Sequence, residues 1–276
     1  MFDILYSLLY GIVQAATEFF PVSSSGHLVL LHEVIHLDIA DNLAFDVALH
    51  LGTLAALILV FWKDISNYSI AFFASFSKWN FTGDADQRLS WLIIAGTVPA
   101  LVIGVLIAES ADSLLRSPLL VATLLIGVGM LFFPVEKLSS KSRDLSALSL
   151  KDAIWIGIAQ VLAFIPGVSR SGSTLLMGLG RGMTREAAAR FSFLLAIPVI
   201  FIAGAKKMYD LFQAGIVSSE IGMLIAGFIA SMVVGFAVIK YFLKFVKKHS
   251  LIPFAWYRIA VGLLTLVIIV VKFFST

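Results

Sequence analysis

The sequence has no cysteine, which excludes disulfides and thiolate metal sites. It is also poor in charge. Asp, Glu, Lys and Arg make up 13% of its 276 residues, about half the fraction usual in a soluble domain. No positive stretch precedes the first apolar segment, only Met1-Phe-Asp3, so that segment is expected to be retained and not cleaved as a signal peptide. The net charge is +3. Loop lysines and arginines of a membrane protein account for it, and no nucleic-acid partner is implied. Apolar residues, by contrast, make up 60% of the chain, with a mean hydropathy of +1.00. Several runs reach the roughly 20 residues that cross a bilayer. The class is an all-α polytopic membrane protein.

Full-length apolar spans fall at about 43–62, 89–108, 118–134, 186–205, 219–243 and 253–274. Two further segments are interrupted. The first runs over 3–37 and breaks at Pro21-Val-Ser-Ser-Ser-Gly-His27. The second runs over 152–180 and breaks at Pro166-Gly-Val-Ser-Arg-Ser-Gly172. Polar connections lie at 63–88 and 135–151, and the second of these is the expected midpoint linker.

The chain repeats itself across that midpoint. At an offset of 146, Gly11-Ile-Val-Gln14 falls on Gly157-Ile-Ala-Gln160, and Val22-Ser-Ser-Ser-Gly26 falls on Val168-Ser-Arg-Ser-Gly172. Phe45 meets Phe191, and at an offset of 131 Gly96 and Gly104 meet Gly227 and Gly235. This divides the chain into a first repeat at 1–134, the linker, and a second repeat at 152–276.

The arms of the interrupted segments are too short to cross about 30 Å at 1.5 Å per residue. Charge supplies a second test. If both segments turn back as re-entrant hairpins, only Arg116, Lys206, Lys207 and Lys272 fall on one side of the membrane. Arg170 lies inside a hairpin, and the remaining fifteen of the twenty Lys and Arg, Arg258 among them, fall on the other side. If both segments cross, the split becomes nearly even. The positive-inside rule selects six spans plus two re-entrant hairpins, with the halves inverted. Inverted repeats place their sites near the midplane, where broken helices meet.

The first hairpin presents Gln14 and Glu18 on one helix face, then Ser23, Ser24, Ser25, Gly26 and His27. The second presents Gln160, Ser169, Arg170, Ser171, Gly172, Ser173 and Thr174. Each turn opens a helix whose N-terminus favours anions. Serine caps such ends, and Arg170 adds a fork suited to phosphate. The pair of turns reads as a phosphate cradle. Structural readings stand beside this one: serines that only cap the helices, and a Glu18 that only pairs with Arg170. Ionisable groups at membrane depth nevertheless default to function. His32, His36, Asp46 and His50 are weaker candidates, and the 23 phenylalanines are expected to be lipid-facing bulk.

Gln14-x-x-x-Glu18 with Pro21–His27, together with Pro166–Thr174, resembles the two signature motifs of the bacterial undecaprenyl-diphosphate phosphatases, the bacitracin-resistance family. The resemblance extends along the whole chain, to the Tyr257-Arg258 pair opening the last span. It implies hydrolysis of undecaprenyl diphosphate to the monophosphate and phosphate in the bacterial inner membrane, and the topology, with both termini outside, puts that hydrolysis at the periplasmic face. It also implies a divalent cation, Mg2+ or Ca2+, with Glu18 either holding it or orienting His27. The family's first motif is (Glu/Gln)-x-x-x-Glu, and Gln14 can serve as neither anionic ligand nor base.

For the chemistry itself, Ser24 is the expected nucleophile with His27 as its base; alternatively His27 or a water attacks. Arg170 and the turn N–H groups would hold the diphosphate, with Ser169, Ser171 and Thr174 adding hydrogen bonds. A flippase or transporter shares this architecture. A phosphatidic acid phosphatase of the second type also uses a Ser-Gly-His turn, but its second histidine and basic motifs are missing. A homodimer is compatible with the sequence, which does not decide the oligomeric state.

Overall fold

The computed structural model describes residues 2–37, 39, 42–107, 117–214 and 220–275. Arg116 and the end of the expected 89–108 span lie outside them. Among the described residues the chain is helical, with one isolated bridge between Arg143 and Met183. The helices are α1 (Phe2–Phe19), α2 (Ser24–His32), α3 (Asn42–Ser75), α4 (Ala85–Ile107), α5 (Pro118–Leu138), α6 (Leu150–Val161), α7 (Arg170–Gly180), α8 (Arg185–Ala214), α9 (Ile221–Val246) and α10 (Ile252–Ser275). Six of these, α3, α4, α5, α8, α9 and α10, are long and apolar enough to cross a membrane. They match the six spans expected from sequence.

Three boundaries differ. The expected 63–88 loop is helical as far as Ser75, with non-helical backbone only at Phe61. Past that kink Lys63 and Asp64 continue the helix, because charge alone does not end one. Helix α8 runs on to Ala214. The arm after the first turn is helical only to His32.

Helices α1 and α9 pack together, as do α6 and α4. Both contacts depend on glycine. A Cβ on Gly11 would run into the carbonyl oxygen of Gly227, and one on Gly157 into that of Gly96. Small residues of this kind let helix backbones approach closely in a membrane, where no hydrophobic difference draws helices together. The same fact corrects the expectation for the phenylalanines. Phe19, Phe45, Phe61, Phe132, Phe191, Phe193 and Phe242 are fully buried. Phe193 meets Phe19 edge-on at 5.4 Å and lies 5.8 Å from Phe242. Lipid and protein core are equally apolar, so shape and not polarity decides where a ring goes.

The linker end of the bundle is held by ion pairs. Asp152 caps α6 through a reciprocal box with Ser149. It also accepts from Arg143 at 2.6 Å and Arg181 at 2.7 Å. Burial alone would raise the Asp152 pKa, but the bonds from Arg143, Ser149 and Arg181 hold it well below the usual carboxylate range. Arg185 grips Glu136 at 2.6 Å and Arg190 meets Asp64 at 2.9 Å. The Arg88 guanidinium reaches the Ser146 carbonyl. The N-termini of α4 and α8 and the C-terminus of α5 therefore share this end.

Candidate active site

The two turns are built alike. Ser23 caps α2 and Ser169 caps α7, with φ of 76° and 77°. Such angles cost a residue with a Cβ roughly 1–3 kcal/mol and persist only where the surroundings enforce them. Part of the enforcement is local. Ser23 Oγ accepts from Gly26 N–H at 3.3 Å, and Ser169 Oγ accepts from Gly172 N–H at 3.0 Å. The hydroxyls two residues on join in, with Ser23–Ser25 at 3.4 Å and Ser169–Ser171 at 3.2 Å.

The rest of the enforcement crosses between the turns. Ser23 Oγ accepts from Gly167 N–H at 3.1 Å, and Ser171 Oγ donates to the Phe20 carbonyl at 3.0 Å. A fully buried arginine ties both tips to the bundle. Arg258 donates to the carbonyls of Pro21 (3.0 Å), Gly167 (2.7 Å) and Val168 (3.1 Å), and to Leu124 and Leu125 on α5. Nε reaches Leu125, Nη1 reaches Pro21, and Nη2 is shared among Leu124, Gly167 and Val168. This corrects the charge count, which had assigned Arg258 to the positive face.

The first helical residue after each cap points at one carboxylate. Ser24 Oγ donates to Glu18 Oε2 at 2.5 Å, and Arg170 Nη2 donates to Glu18 Oε1 at 2.9 Å. Gln14 Nε2 adds a bond to Oε2 at 3.1 Å. Arg170 also donates to the Ser192 carbonyl at 3.0 Å. Thr174 bonds the Ser192 hydroxyl at 2.6 Å and donates to the Arg170 carbonyl at 2.7 Å, a carbonyl that Ser173 also reaches. Ser171, Ser173 and Thr174 thus spend their hydroxyls on buttressing the turn.

His27 stands apart from the expected pair. Its Nδ1 lies 2.7 Å from the Ser23 carbonyl, which can only accept, so Nδ1 carries the hydrogen. Its Nε2 meets the Tyr257 hydroxyl at 2.9 Å, with the rings stacked. Neither nitrogen is left for Ser24, and Glu18 does not orient the ring. His27 faces a separate cavity lined by Tyr257, Val261 and Lys272. The histidine at the site is His50. Its Nδ1 donates to the Asp46 carbonyl at 2.8 Å, leaving Nε2 aimed at Glu18 Oε2 from 3.6 Å. Sequence reasoning ranked His50 low. The available signal was its place within an otherwise apolar span. Asp46 in turn holds His32 at 2.9 Å.

Glu18, Ser24, Ser25, His50, Gln160, Ser169 and Arg170 line one cavity of about 350 Å3. Its other walls are apolar, including Val47, Ala100, Phe164 and Ile200. Val47 and His50 sit near the start of α3, and Val199, Ile200, Ala203 and Gly204 sit well along α8. The cavity therefore extends from the turns away from the linker end. Among the described residues no group of three His, Asp or Glu could hold a metal. Glu18 is the one carboxylate lining the cavity, and it is already paired with Arg170. This donor set does not fit a resident divalent cation, which wants six or more oxygens or an octahedral cage.

Residues 7–264 match the family model of bacitracin resistance protein BacA. The chain belongs to that family. Among its relatives is an undecaprenyl-diphosphatase from Rubrobacter xylanophilus, 43% identical over 96% of this chain and 97% of the relative. A protein of the same name from Geotalea daltonii is 43% identical over 97% of this chain and 98% of its own. One from Methanosphaera stadtmanae is 39% identical over 98% and 100%. The family covers both turns, so the Glu18–Ser24–Arg170 cluster falls wholly within the matched region.

Proposed function

We propose that the chain is an integral membrane phosphatase. It hydrolyses undecaprenyl diphosphate to undecaprenyl phosphate and inorganic phosphate, recycling the lipid carrier for cell-wall synthesis and so conferring resistance to bacitracin. The names of its relatives support the substrate. The observation that carries the chemistry is the convergence of Ser24 and Arg170, from two different turns, on the single carboxylate of Glu18.

Phosphoryl transfer is mainly a matter of positioning and charge neutralisation. Arg170 and the N–H groups at the starts of α2 and α7 hold the terminal phosphoryl group. Ser24 Oγ attacks its phosphorus while Glu18 takes the hydroxyl proton. The bond to the bridging oxygen breaks, and the lipid monophosphate leaves with that electron pair. His50 Nε2, beside Glu18, first passes that proton on to water and restores the carboxylate. A water then attacks the phosphoserine and gives a proton to Glu18, which returns it to Ser24 Oγ as phosphate departs. This moves the base role from His27 to Glu18. Because the donor set fits no resident metal, Mg2+ or Ca2+ enters as counter-ion of the diphosphate, held on phosphate oxygens, as part of the substrate.

The topology we infer is six spans with two re-entrant hairpins in inverted repeats. The exchanged packing of α1 on α9 and α6 on α4 supports it. So does the ion-paired linker end, which suits the cytoplasmic face. The cavity, extending the other way, then opens to the periplasm of an inner membrane.

The test is phosphate release from a C55 or C15 diphosphate by purified protein, with and without chelator. No release under either condition rejects the reading. Ser24→Ala should lower release at least about 10^3-fold and abolish the trapped phosphoserine. Undiminished lipid movement with no phosphate release would favour a flippase of the same architecture.

A further inference from the structure

Among the described residues five buried side-chain atoms lack a hydrogen-bond partner. Ser139 Oγ lies at the end of α5, and the other four, Gln160 Nε2 and Oε1, Arg170 Nε and Gln14 Oε1, stand at or beside the site. Gln160 is only 2% exposed, yet both ends of its amide are unmatched. It lines the same cavity as Ser24 and Arg170. A buried amide without a partner costs on the order of 1–3 kcal/mol, and native proteins seldom keep one without a reason. Gln14, its equivalent in the first repeat, uses its Nε2 on Glu18. Phe164, the second-repeat counterpart of Glu18, gives Gln160 no such partner. Its amide is free for a ligand.

The position suggests which ligand. Gln160 lies one helical turn before Ala163 and Phe164, which belong to the apolar wall of the cavity. A prenyl diphosphate with its terminal phosphorus at Ser24 and its chain along that wall must pass its second phosphoryl group between the two. Gln160 and Arg170 both line this cavity, and each carries an unmatched donor, Nε2 and Nε.

We propose that Gln160, together with the Nε–H of Arg170, seats the lipid-proximal phosphoryl group, so that Gln160 makes the site prefer prenyl diphosphates over prenyl monophosphates. This rests on the phosphatase reading and assigns the half of the substrate that the Ser24 side leaves unbound.

The experiment compares two probes on purified protein in detergent: farnesyl monophosphate and the non-hydrolysable farnesyl methylenediphosphonate. In Gln160→Leu the diphosphonate affinity should fall about 10- to 100-fold, as for a lost bond to a charged group, with the monophosphate affinity unchanged. Gln160→Glu should lower the diphosphonate affinity further, because like charges then face each other. With farnesyl diphosphate as substrate, KM should rise while kcat stays within a few-fold. Equal losses for both probes, or no loss for the diphosphonate, would overturn the proposal. Retained monophosphate binding in the same variants shows that they have folded. Wild-type protein that binds the diphosphonate but releases no phosphate from farnesyl diphosphate would reject the phosphatase reading alone, leaving the binding ratio to judge Gln160.

Discussion

Ser23 and Ser169 occupy equivalent places in two turns, with φ within a degree of each other and the same bond to the glycine three residues on. The residues that follow them, Ser24 and Arg170, reach the two oxygens of one carboxylate. The backbone of the repeat was kept while its side chains diverged. The first hairpin carries Glu18 and the hydroxyl. The second carries the cation, and at the position equivalent to Glu18 it has Phe164, an apolar wall. Two identical copies would give either two carboxylates and no clamp or two arginines and no base. The site needs the asymmetry, and it needs the shared backbone to bring the two halves into register.

The strongest way to break the comparison is to cut what holds both turns at once. Arg258→Met leaves the carbonyls of Pro21, Gly167 and Val168 at the turn tips without their side-chain donor. Each buried orphan costs on the order of 1–3 kcal/mol. Phosphate release should vanish, and the thermal midpoint in detergent should fall more than for any other variant considered below. Arg258→Lys, with three donors, should recover only part of the stability.

Next come the two diverged positions. Glu18→Gln removes the base and the partner of Arg170. It should lower kcat about 10^3- to 10^4-fold, with KM for a farnesyl diphosphate changed little. Arg170→Lys keeps the charge but loses the fork. It should cost about 10- to 100-fold in kcat/KM, much of it in KM. If both variants lost kcat alone and equally, the division of labour between the turns would be wrong.

The caps measure how alike the turns are. Ser23→Ala and Ser169→Ala should each cost about 1 kcal/mol for the lost cap. Ser23→Ala should cost more, because Ser23 also accepts from Gly167 across the turns. Thermal midpoints of the two variants, read side by side, check this.

Much of this was legible in the sequence. Hydropathy showed the six spans, and the fixed spacing of Gly, Gln and Ser marked the two turns that are built alike. The glycines matched at two offsets turn out to meet in space, Gly11 on Gly227 and Gly157 on Gly96. The motif residues Glu18, Ser24 and Arg170 come together as the cradle required. Side-chain direction was not legible. Whether His27 turns toward Ser24 or back along its own helix depends on the Ser23 carbonyl and on Tyr257, 230 residues away. His50 belongs to a span that periodicity marks only as apolar. Arg258 looked like a loop charge because a count by sides ignores burial.

The smallest expected effect, that of Tyr6→Phe, comes from setting against each other the other ends of the two hairpins, where the equivalent residues also differ. Asp152 is the second-repeat equivalent of Tyr6, which is 38% exposed. Asp152 is fully buried and holds Ser149, Arg143 and Arg181. Its folded pKa is depressed, so its contribution is fully present above the unfolded carboxylate value of about 3.9 and is lost as pH falls through the folded value. Both arginines are about one-third exposed, which screens the pair. Asp152→Asn should therefore cost on the order of 2 kcal/mol at pH 7, less than a fully buried pair would. The gap in thermal midpoint between wild type and variant should narrow as pH drops below about 4. Tyr6→Phe should change the midpoint by less than about 0.5 kcal/mol equivalent at any pH. A pH-independent gap for Asp152→Asn would mean that the second hairpin is held at its linker end by packing and not by charge, as the first must be.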